Sequence, residues 1–274
     1  MRFVNKYGQW ALVTGGSTGI GLELAKHAAA RGMDIILVAR RANLLKHAQD
    51  DIQKLYKVKV KIIELDLTSD AAMDKLFEET INLEVGLLVP NAGCELSGLF
   101  INTTLEDNRK LLRLNTEVPM ALTHHYGRMM AARKKGAILL VSSGFGYQAT
   151  PYIANYSATK AYILSLGEAL NVELNEFGID VTVLSPGLTK TAMTDNAAID
   201  FSKLPIFSMT PHAVAHIGIQ ALGRKASVIT GYVNKFYVWT NRLSPRSLPV
   251  KLFGYLIRRA IKSEKRDELL TIQV

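Results

Sequence analysis

Short apolar runs that read as buried strands alternate with amphipathic helical patterns, and this alternation is the strongest constraint on the fold. Strands at this spacing, each followed by a helix, predict an α/β fold with one doubly wound parallel sheet and helices on both faces. In such a sheet the carboxyl ends of the strands open on one crevice, where ligands bind. The predicted strand ends are Thr14, Ala39, Asp66, Asn91, Ser143 and Ser185.

Length and composition indicate one globular domain. The 274 residues suffice for a large α/β core, and we expect residues 1–274 to form a single domain. Apolar residues make up 48% and charged residues 21%, which excludes a disordered chain. The single cysteine, Cys94, excludes an internal disulfide and a cysteine-based zinc site. Residues 1–10 lack the apolar core of a signal peptide and no apolar run could span a bilayer, so we expect a cytoplasmic protein.

A glycine-rich turn follows the first predicted strand, Trp10–Thr14. It reads Gly15-Gly16-Ser17-Thr18-Gly19-Ile20-Gly21, and a helical pattern over residues 22–31 comes next. Glycines permit a tight bend and let the backbone approach a pyrophosphate at the helix N-terminus. The stretch predicts a dinucleotide site and a Rossmann-type fold, with an ordinary glycine-rich turn as the alternative.

The end of the second predicted strand, Asp34–Ala39, indicates which dinucleotide binds. Arg40 and Arg41 follow this strand, and no acid stands there. NAD-binding folds place an acid at this point to bond the ribose 2′-hydroxyl, whereas an arginine accommodates a 2′-phosphate. The sequence therefore predicts NADP as cofactor, with a solvated basic helix start as the alternative.

Tyr156 and Lys160 are four residues apart in a pattern that indicates a helix, with Pro151 in its first turn. Residues at this spacing lie on one helix face. A cation beside a phenol stabilises the phenolate and lowers its pKa from about 10. Ser143 follows the buried run 137–141, so its hydroxyl and Tyr156 can converge on one carbonyl. A solvated surface pair is the alternative for the isolated pattern.

Taken together, these motifs resemble those of the short-chain dehydrogenase/reductase family, in its shorter form of roughly 250 residues. The resemblance covers roughly residues 7–230 and rests on motifs in the family's order and spacing. The motifs are Thr14-Gly15-x-x-x-Gly19-x-Gly21, Asn91-Ala92-Gly93, Asn115, Ser143, Tyr156-x-x-x-Lys160 and Pro186-Gly187 with Thr191.

The resemblance implies an NADP site along the whole crevice. The glycine turn would cradle the pyrophosphate, Arg40 and Arg41 would bind the 2′-phosphate, and the segment ending at Thr191 would hold the carboxamide. The implied cofactor residues are Gly15, Ser17, Thr18, Gly19, Ile20, Gly21, Arg40, Arg41, Asp66, Leu67, Asn91, Ala92, Gly93, Tyr156, Lys160, Pro186, Gly187, Leu188, Thr189 and Thr191.

The resemblance also implies four catalytic roles. Ser143 would orient the substrate carbonyl, and Tyr156 would transfer the proton. Lys160 would tune Tyr156 and bond the nicotinamide ribose, and Asn115 would position a water in a proton relay. The implied activity is hydride transfer between NADP(H) and a carbonyl or secondary alcohol, since the nicotinamide carries the hydride and the protein handles the proton.

Residues 188–230 hold the segment that covers the substrate in this family, followed by the last core elements. The covering stretch 188–210 is rich in apolar residues, which favours a lipophilic ketone, aldehyde or 3-oxoacyl compound; plain packing on the body is the alternative. His212 and His216 have metal-ligand spacing, but no third ligand accompanies them, so we expect no metal site.

Residues 231–274 form a basic extension with nine lysines and arginines against three acids. A helix over residues 250–262 would place an apolar face opposite a basic one, which is typical of a helix lying on an anionic membrane. Packing on its own domain or on a second subunit are the alternatives. The resemblance further implies a homo-oligomer, a dimer or tetramer, paired through helices at about 105–132 and 152–177.

Two rival functions were weighed. A non-catalytic NADP-binding sensor or scaffold would need no complete set of Asn115, Ser143, Tyr156 and Lys160, so the set favours an enzyme. Nucleic-acid binding would fit the basic charge, but no recognition motif supports it. We therefore expect a small lipophilic substrate and no nucleic acid.

Overall fold

The computed structural model describes residues 3–195, 197–204, 206–265 and 269–272. Its centre is a sheet of seven parallel strands in the order β3-β2-β1-β4-β5-β6-β7. The strands are β1 Trp10–Thr14, β2 Asp34–Ala39, β3 Val60–Glu64, β4 Val85–Val89, β5 Gly136–Val141, β6 Ile179–Ser185 and β7 Ser227–Ile229. The predicted parallel sheet is confirmed. The short β7 was not predicted, because three residues carry little periodicity of their own.

Helices cover both faces of the sheet. They are α1 Phe3–Tyr7, α2 Gly19–Ala29, α3 Ala42–Leu55, α4 Ala72–Thr80, α5 Leu105–Leu112, α6 Val118–Ala132, α7 Ala154–Glu173, α8 Ala192–Asp195, α9 Pro211–Ala221, α10 Tyr232–Leu243 and α11 Ser247–Ala260. On one face α2, α3 and α9 pack against Ala11 and Val13 of β1. On the other, α4, α6 and α7 pack against Leu12. Successive strand residues thus enter opposite cores, as a doubly wound sheet requires.

The chain reverses its direction across the sheet between β1 and β4. It runs from β1 through β2 to β3 on one side, and then from β4 through β5 and β6 to β7 on the other. The connections that leave β1 and β4 therefore diverge at their carboxyl ends. This divergence opens a crevice, the position where doubly wound sheets bind ligands.

The long helical pattern 105–132 is broken at Asn115 rather than at Pro119. A π turn over Arg113–Glu117 separates α5 from α6 and contains Asn115. Pro119 lies in the first turn of α6, where its missing N–H costs no helical hydrogen bond. The helical pattern is therefore interrupted one turn before the proline, and the irregular turn carries a predicted site residue.

Two helix starts also differ from what residue types suggest, namely Ser69 as the N-cap of α4 and Pro151 in the first turn of α7. Ser69 does not cap α4, because its hydroxyl donates to the carbonyl oxygen of Asp66 at 2.9 Å and Ala71 occupies the N-cap position. Pro151 lies before α7 rather than in its first turn. The next residue, Tyr152, has a φ of 68°, which is incompatible with a right-handed helix.

Helix α11 of the C-terminal extension packs on the body of the domain. Ile257 and Ala260 of α11 are fully buried, and the end of this helix is hydrogen-bonded to the covering segment. The amide of Asp200 donates to the Ala260 carbonyl oxygen at 2.7 Å, and the amide of Lys262 donates to Ala198 at 3.0 Å. The inner face of α11 therefore packs on its own domain, which was one of the alternatives to membrane contact.

Within the ranges given above, no helix combines the length and the apolar character needed to cross a membrane.

Candidate active site

The glycine turn after β1 requires glycine at three positions for two physical reasons. Gly15 and Gly19 have φ values of 64° and 59°, in the left-handed region that other residues avoid. A Cβ on Gly21 would lie 2.4 Å from the Gly15 carbonyl oxygen, so any side chain there would push α2 away from the turn. The turn therefore presents bare backbone at the N-terminus of α2, as a pyrophosphate site needs.

A cleft of about 290 Å³ lies above the ends of β1, β2, β3 and β4. We refer to it as the cofactor cleft. The predicted cofactor residue Gly21 does not line this cleft; it lies behind the lining residues and supports the glycine turn. The predicted cofactor residues that line this cleft are Gly15, Ser17, Thr18, Gly19, Ile20, Arg40, Arg41, Asp66, Leu67, Asn91, Ala92, Gly93 and Thr191.

The far end of the cofactor cleft is positively charged. Arg40 and Arg41 are exposed at the end of β2, and neither forms a salt bridge with a residue that the structure describes. The carboxylate of Asp66 accepts hydrogen bonds from the amide and hydroxyl of Thr68, at 2.9 and 2.7 Å. These bonds, with a smaller contribution from Arg40, lower the pKa of Asp66. Arginines without an opposing carboxylate at this strand end fit a 2′-phosphate.

Asn91 ties the ends of β1 and β4 together at the switch point. Its amide and that of Ala92 both donate to the Thr14 hydroxyl at 3.0 Å. Its side-chain Nδ2 donates to the Thr14 carbonyl oxygen, also at 3.0 Å. These bonds hold the floor of the cofactor cleft rigid, so the predicted contact of Asn91 and Gly93 with the cofactor rests on a fixed backbone.

A second cavity of about 230 Å³ adjoins the cofactor cleft and holds three predicted catalytic side chains, Ser143, Tyr156 and Lys160. We refer to it as the catalytic cavity. The predicted residues Pro186, Gly187, Leu188 and Thr189 also line it. Residues that line both spaces join them into one groove. These shared residues are Ile20, Asn91, Gly93, Thr191 and Met193.

Burial governs the electrostatics of the Tyr156 and Lys160 pair. The Lys160 Nζ lies 5.7 Å from the centre of the Tyr156 ring and donates to the Val141 carbonyl oxygen at 3.1 Å. Burial lowers the pKa of Lys160 to about 8. Burial, and then Glu95, raise the pKa of Tyr156, while the Ser143 hydroxyl opposes the rise. In the protein alone, desolvation therefore outweighs the expected lowering of the tyrosine pKa by Lys160.

Ser143 and α7 are positioned by two local hydrogen bonds. Ser143 Oγ accepts from the Phe145 amide at 3.2 Å, in the turn that follows β5. The hydroxyl of the preceding residue, Ser142, donates to the carbonyl oxygen of Lys160 at 2.7 Å. The strand end and the helix are thus linked beside the reacting groups, so the Ser143 and Tyr156 hydroxyls face the same cavity, as the sequence predicted.

Asn115 is buried behind the catalytic cavity rather than in its lining. Its Oδ1 accepts from the Cys94 amide at 3.0 Å, and its Nδ2 donates to the Cys94 carbonyl oxygen at 2.9 Å and to Thr159 Oγ1 at 3.2 Å. The side chain therefore clamps the loop after β4 onto α7. Because the Asn115 side chain is engaged in these bonds, the predicted role of holding a water falls to the backbone of the π turn. Functional residues often occur in such turns.

The roof of the catalytic cavity is apolar and comes from two distant segments. The predicted covering segment contributes Phe201, Leu204 and Ile206. The apolar face that was a candidate for membrane contact, including Phe253 and Ile257 of α11, lines the same cavity. Helix α10 adds a more polar wall, which the sequence reasoning missed because this helix was not predicted. Its lining residues are Asn234, Tyr237, Val238 and Asn241.

Glu95 is a further lining residue that the sequence reasoning missed. It stands two residues after the Asn91-Ala92-Gly93 motif, and this position in an apolar loop was a signal for it. Its Oε1 is buried and has no hydrogen-bond partner within the described part of the chain. Burial raises the pKa of Glu95 to about 7, so neutral and ionised forms coexist near neutral pH.

Comparison with known proteins agrees with this geometry. A sequence profile described as short chain dehydrogenase matches residues 9–200. The 7beta-hydroxysteroid dehydrogenase of Mediterraneibacter gnavus is 30% identical over 244 residues, which cover 86% of this chain and 90% of that protein. A very-long-chain 3-oxoacyl-CoA reductase-like protein of Arabidopsis thaliana is 34% identical over 226 residues, which cover 80% of this chain and 72% of that protein.

Solved structures show the same likeness. One from a study of 7beta-hydroxysteroid dehydrogenase stereoselectivity has a TM-score of 0.85 at 28% identity, covering 92% of this chain and 99% of that one. A short-chain dehydrogenase from Sphingobium yanoikuyae in complex with NADPH has a TM-score of 0.76 at 28% identity, covering 86% and 93%. Because the profile spans well over half of the sequence and the sheet agrees, this chain belongs to the short-chain dehydrogenase/reductase family, a family of oxidoreductases.

Proposed function

We propose that this protein is an NADPH-dependent reductase of lipophilic ketones, aldehydes or 3-oxoacyl compounds, working in reverse on the corresponding alcohols. One observation carries the proposal. Ser143, Tyr156 and Lys160 line an apolar cavity that is continuous with the cofactor cleft, which holds the glycine turn at one end and Arg40 at the other. A cavity with a few convergent polar groups and shifted pKa values is the expected form of an enzyme site.

When bound, the nicotinamide of NADPH supplies a hydride to the carbonyl carbon. The Ser143 hydroxyl holds the carbonyl oxygen by donating a hydrogen bond. Tyr156 donates its proton to the same oxygen as negative charge develops there. Its raised pKa keeps it protonated until then, and transfer remains downhill because an alkoxide is a stronger base than a phenolate. Lys160 keeps a positive charge near the site, and the backbone at Asn115 positions a water that returns the proton.

The choice of NADP rests on the positive strand end at β2. Arg40 would pair with the 2′-phosphate, because a guanidinium binds phosphate with parallel hydrogen bonds and Arg40 forms no salt bridge with a residue that the structure describes. The NADPH-bound structure from Sphingobium yanoikuyae supports the assignment. Arg40→Asp should reverse the preference from NADPH to NADH, measured as kcat/KM with each cofactor. Arg224→Asp, an exposed arginine after α9, should leave the preference unchanged.

The substrate class rests on the apolar roof formed by the covering segment and α11. The named activities of the relatives, on hydroxysteroids and on very-long-chain 3-oxoacyl-CoA, also concern large apolar compounds. A panel of such ketones and aldehydes should oxidise NADPH, followed by its absorbance. Tyr156→Phe should abolish turnover while NADPH still binds. A wild type that binds NADPH but reduces no member of the panel would favour the sensor or scaffold function instead.

We propose a homo-oligomer that pairs through α6 and α7. Both helices expose large apolar residues, among them Met120 of α6 and Tyr162 and Val172 of α7. Burying such residues against a second copy removes apolar surface from water. Light scattering should report a dimer or tetramer at micromolar concentration. Val172→Glu should dissociate it, whereas Ile81→Glu, equally exposed after α4, should not.

We also propose peripheral contact with an anionic membrane, through α10 rather than through the face of α11 that lines the cavity. Tyr232, Phe236, Trp239 and Leu243 form an exposed stripe at helical spacing, each at least 61% exposed. The stretch 231–262 contains seven lysines and arginines and no acid. Apolar side chains and basic residues together favour an anionic lipid surface, at about 1 kcal/mol for each basic residue near it.

Co-sedimentation with vesicles tests this contact. The wild type should pellet with phosphatidylglycerol-containing vesicles and not with pure phosphatidylcholine, and salt should weaken the binding. Trp239→Glu should abolish pelleting, with Ile81→Glu as the matched control. A Trp239→Glu protein that loses its oligomeric state instead would show that α10 pairs two copies.

A further inference from the structure

Glu95 is held in place from outside the catalytic cavity. The backbone of its neighbour Cys94 is bonded at both its amide and its carbonyl to the side chain of Asn115. The Glu95 side chain lines the catalytic cavity and raises the pKa of Tyr156, so the two side chains lie close together. The carboxyl group is therefore a fixed feature beside the reacting groups.

Several other polar groups around this site are satisfied by the protein. Lys160 donates to Val141, Ser142 donates to Lys160, and Asn115 bonds to Cys94. In the described part of the chain, four buried side-chain atoms have no hydrogen-bond partner, on His27, Glu95, Thr123 and Ser185. Of these four residues, Glu95 is the one that lines the cavity. An unpartnered buried oxygen is costly, and at a ligand site its partner is expected to arrive with the ligand.

We propose that Glu95 binds a hydroxyl group of the substrate, and that the enzyme reduces lipophilic ketones bearing a hydroxyl group near the reacting carbonyl. This inference rests on the proposed reductase function and narrows its substrate class. A hydroxyl both donates and accepts, so it can bond to the neutral and to the ionised carboxyl. A substrate carboxylate or phosphate at this point would meet a like charge, and a plain hydrocarbon would leave Oε1 without a partner.

The groups that face Glu95 support a hydroxyl rather than a cation. Tyr156 from α7 and Cys94 from the same loop both have raised pKa values and stay neutral near pH 7. Lys160, with a pKa lowered to about 8, supplies a cation to the same cavity. A second cation on the substrate would be repelled by Lys160, whereas a neutral hydroxyl would not.

The test compares 1-tetralone with its 2-, 3- and 4-hydroxy derivatives as substrates with NADPH. For the wild type, at least one hydroxy-ketone should exceed 1-tetralone in kcat/KM by about tenfold, as expected for one hydrogen bond to a charged group. Glu95→Leu should remove this advantage. Glu95→Gln should keep part of it, because its amide also donates and accepts. Glu78→Gln and Glu78→Leu, at an exposed position on α4, are the matched controls.

Calorimetric binding of the same ketones separates the two proposals. If the wild type reduces 1-tetralone and the advantage survives in Glu95→Leu, the role of Glu95 is overturned while the reductase function stands. If no ketone is reduced, the reductase function fails, and hydroxyl recognition is read from the dissociation constants alone. Equal wild-type affinities for 1-tetralone and its hydroxy derivatives would then overturn the inference. Glu95→Gln provides the same comparison should Glu95→Leu fail to fold.

Discussion

Replacing Glu95 by glutamine removes a buried carboxyl while preserving its shape, and we expect this change to stabilise the cofactor-free protein above neutral pH. The side chain lines the catalytic cavity, and its Oε1 is buried without a partner in the part of the chain that the structure describes. Burial disfavours the charged form and raises the pKa of this carboxyl from 4.5 to about 7. Glu95 therefore lowers the unfolding free energy of the wild type only when the pH is high enough to ionise it.

The sign and size follow from proton linkage. Between pH 4.5 and about 7 the folded protein keeps a proton on Glu95 that the unfolded chain has released, so raising the pH favours unfolding. The gap between these two pKa values corresponds to about 3 kcal/mol, at roughly 1.4 kcal/mol per pKa unit. Glu95→Gln lacks this proton. Its advantage in unfolding free energy should grow from near zero at pH 4.5 to about 3 kcal/mol above pH 7.

Thermal unfolding at pH 5 and pH 7.5 measures this difference. For a chain of this size we expect the melting temperature of Glu95→Gln to exceed that of the wild type by roughly 5 °C at pH 7.5. At pH 5 the gap should fall to roughly a quarter of this value. Glu78→Gln, an exposed change on α4, should match the wild type at both values and so controls for loss of charge alone.

A pH-independent difference between Glu95→Gln and the wild type would refute the reasoning, because only a titrating group makes the gap depend on pH. So would a less stable variant at pH 7.5. Either result would mean that the folded protein does not disfavour the Glu95 carboxylate, and the inference of a substrate hydroxyl as its partner would lose its premise.

Three further predictions concern the turn, the roof and the lysine. Gly21→Ala should weaken NADPH binding severely, because its Cβ would lie 2.4 Å from a backbone oxygen. Gly127→Ala should be neutral or slightly stabilising, because the nearest neighbouring side-chain atom would lie 3.9 Å from its Cβ. Calorimetric binding and melting curves check both variants. Ile257→Asp should lower the melting temperature and abolish ketone reduction, since Ile257 is buried and lines the cavity; reduction at wild-type rate would show that α11 is dispensable. Lys160→Met should stabilise the cofactor-free protein at pH 6, because burial lowers the lysine pKa from 10.5 to about 8. The advantage in unfolding free energy should shrink as the pH rises from about 8 to 10.5. An advantage that grows with pH would contradict the lowered pKa of Lys160.

The sheet could be predicted because its signals are local in the chain. The bounds of β1 and β2 agree with the sequence prediction, since each is a continuous apolar run ended by a turn. The special φ values of Gly15 and Gly19 also follow from a short motif. Such features depend on neighbouring residues, so residue type and spacing are enough to predict them.

The predictions that failed depended on competition between interactions. Ser69 has the chemistry of a helix cap, but the Asp66 carbonyl takes its hydroxyl instead. Lys160 was expected to lower the pKa of Tyr156, yet burial of the phenol raises it. The outcome in each case depends on distances and solvent exposure that a residue pattern does not contain.

Periodicity and motif spacing are enough to predict six of the seven strands, the glycine turn, the basic end of β2 and the set of candidate catalytic residues. The position of helix α11 depends instead on contacts between segments that are far apart in the chain. The apolar face of α11 suits a membrane or a core equally well, and Ile257 and Ala260 are buried because they pack in one cluster with Ile199 and Phe201, about sixty residues earlier. Only the structure also showed that Oε1 of Glu95 lacks a hydrogen-bond partner among the described residues, because a missing partner is a property of packing between distant segments.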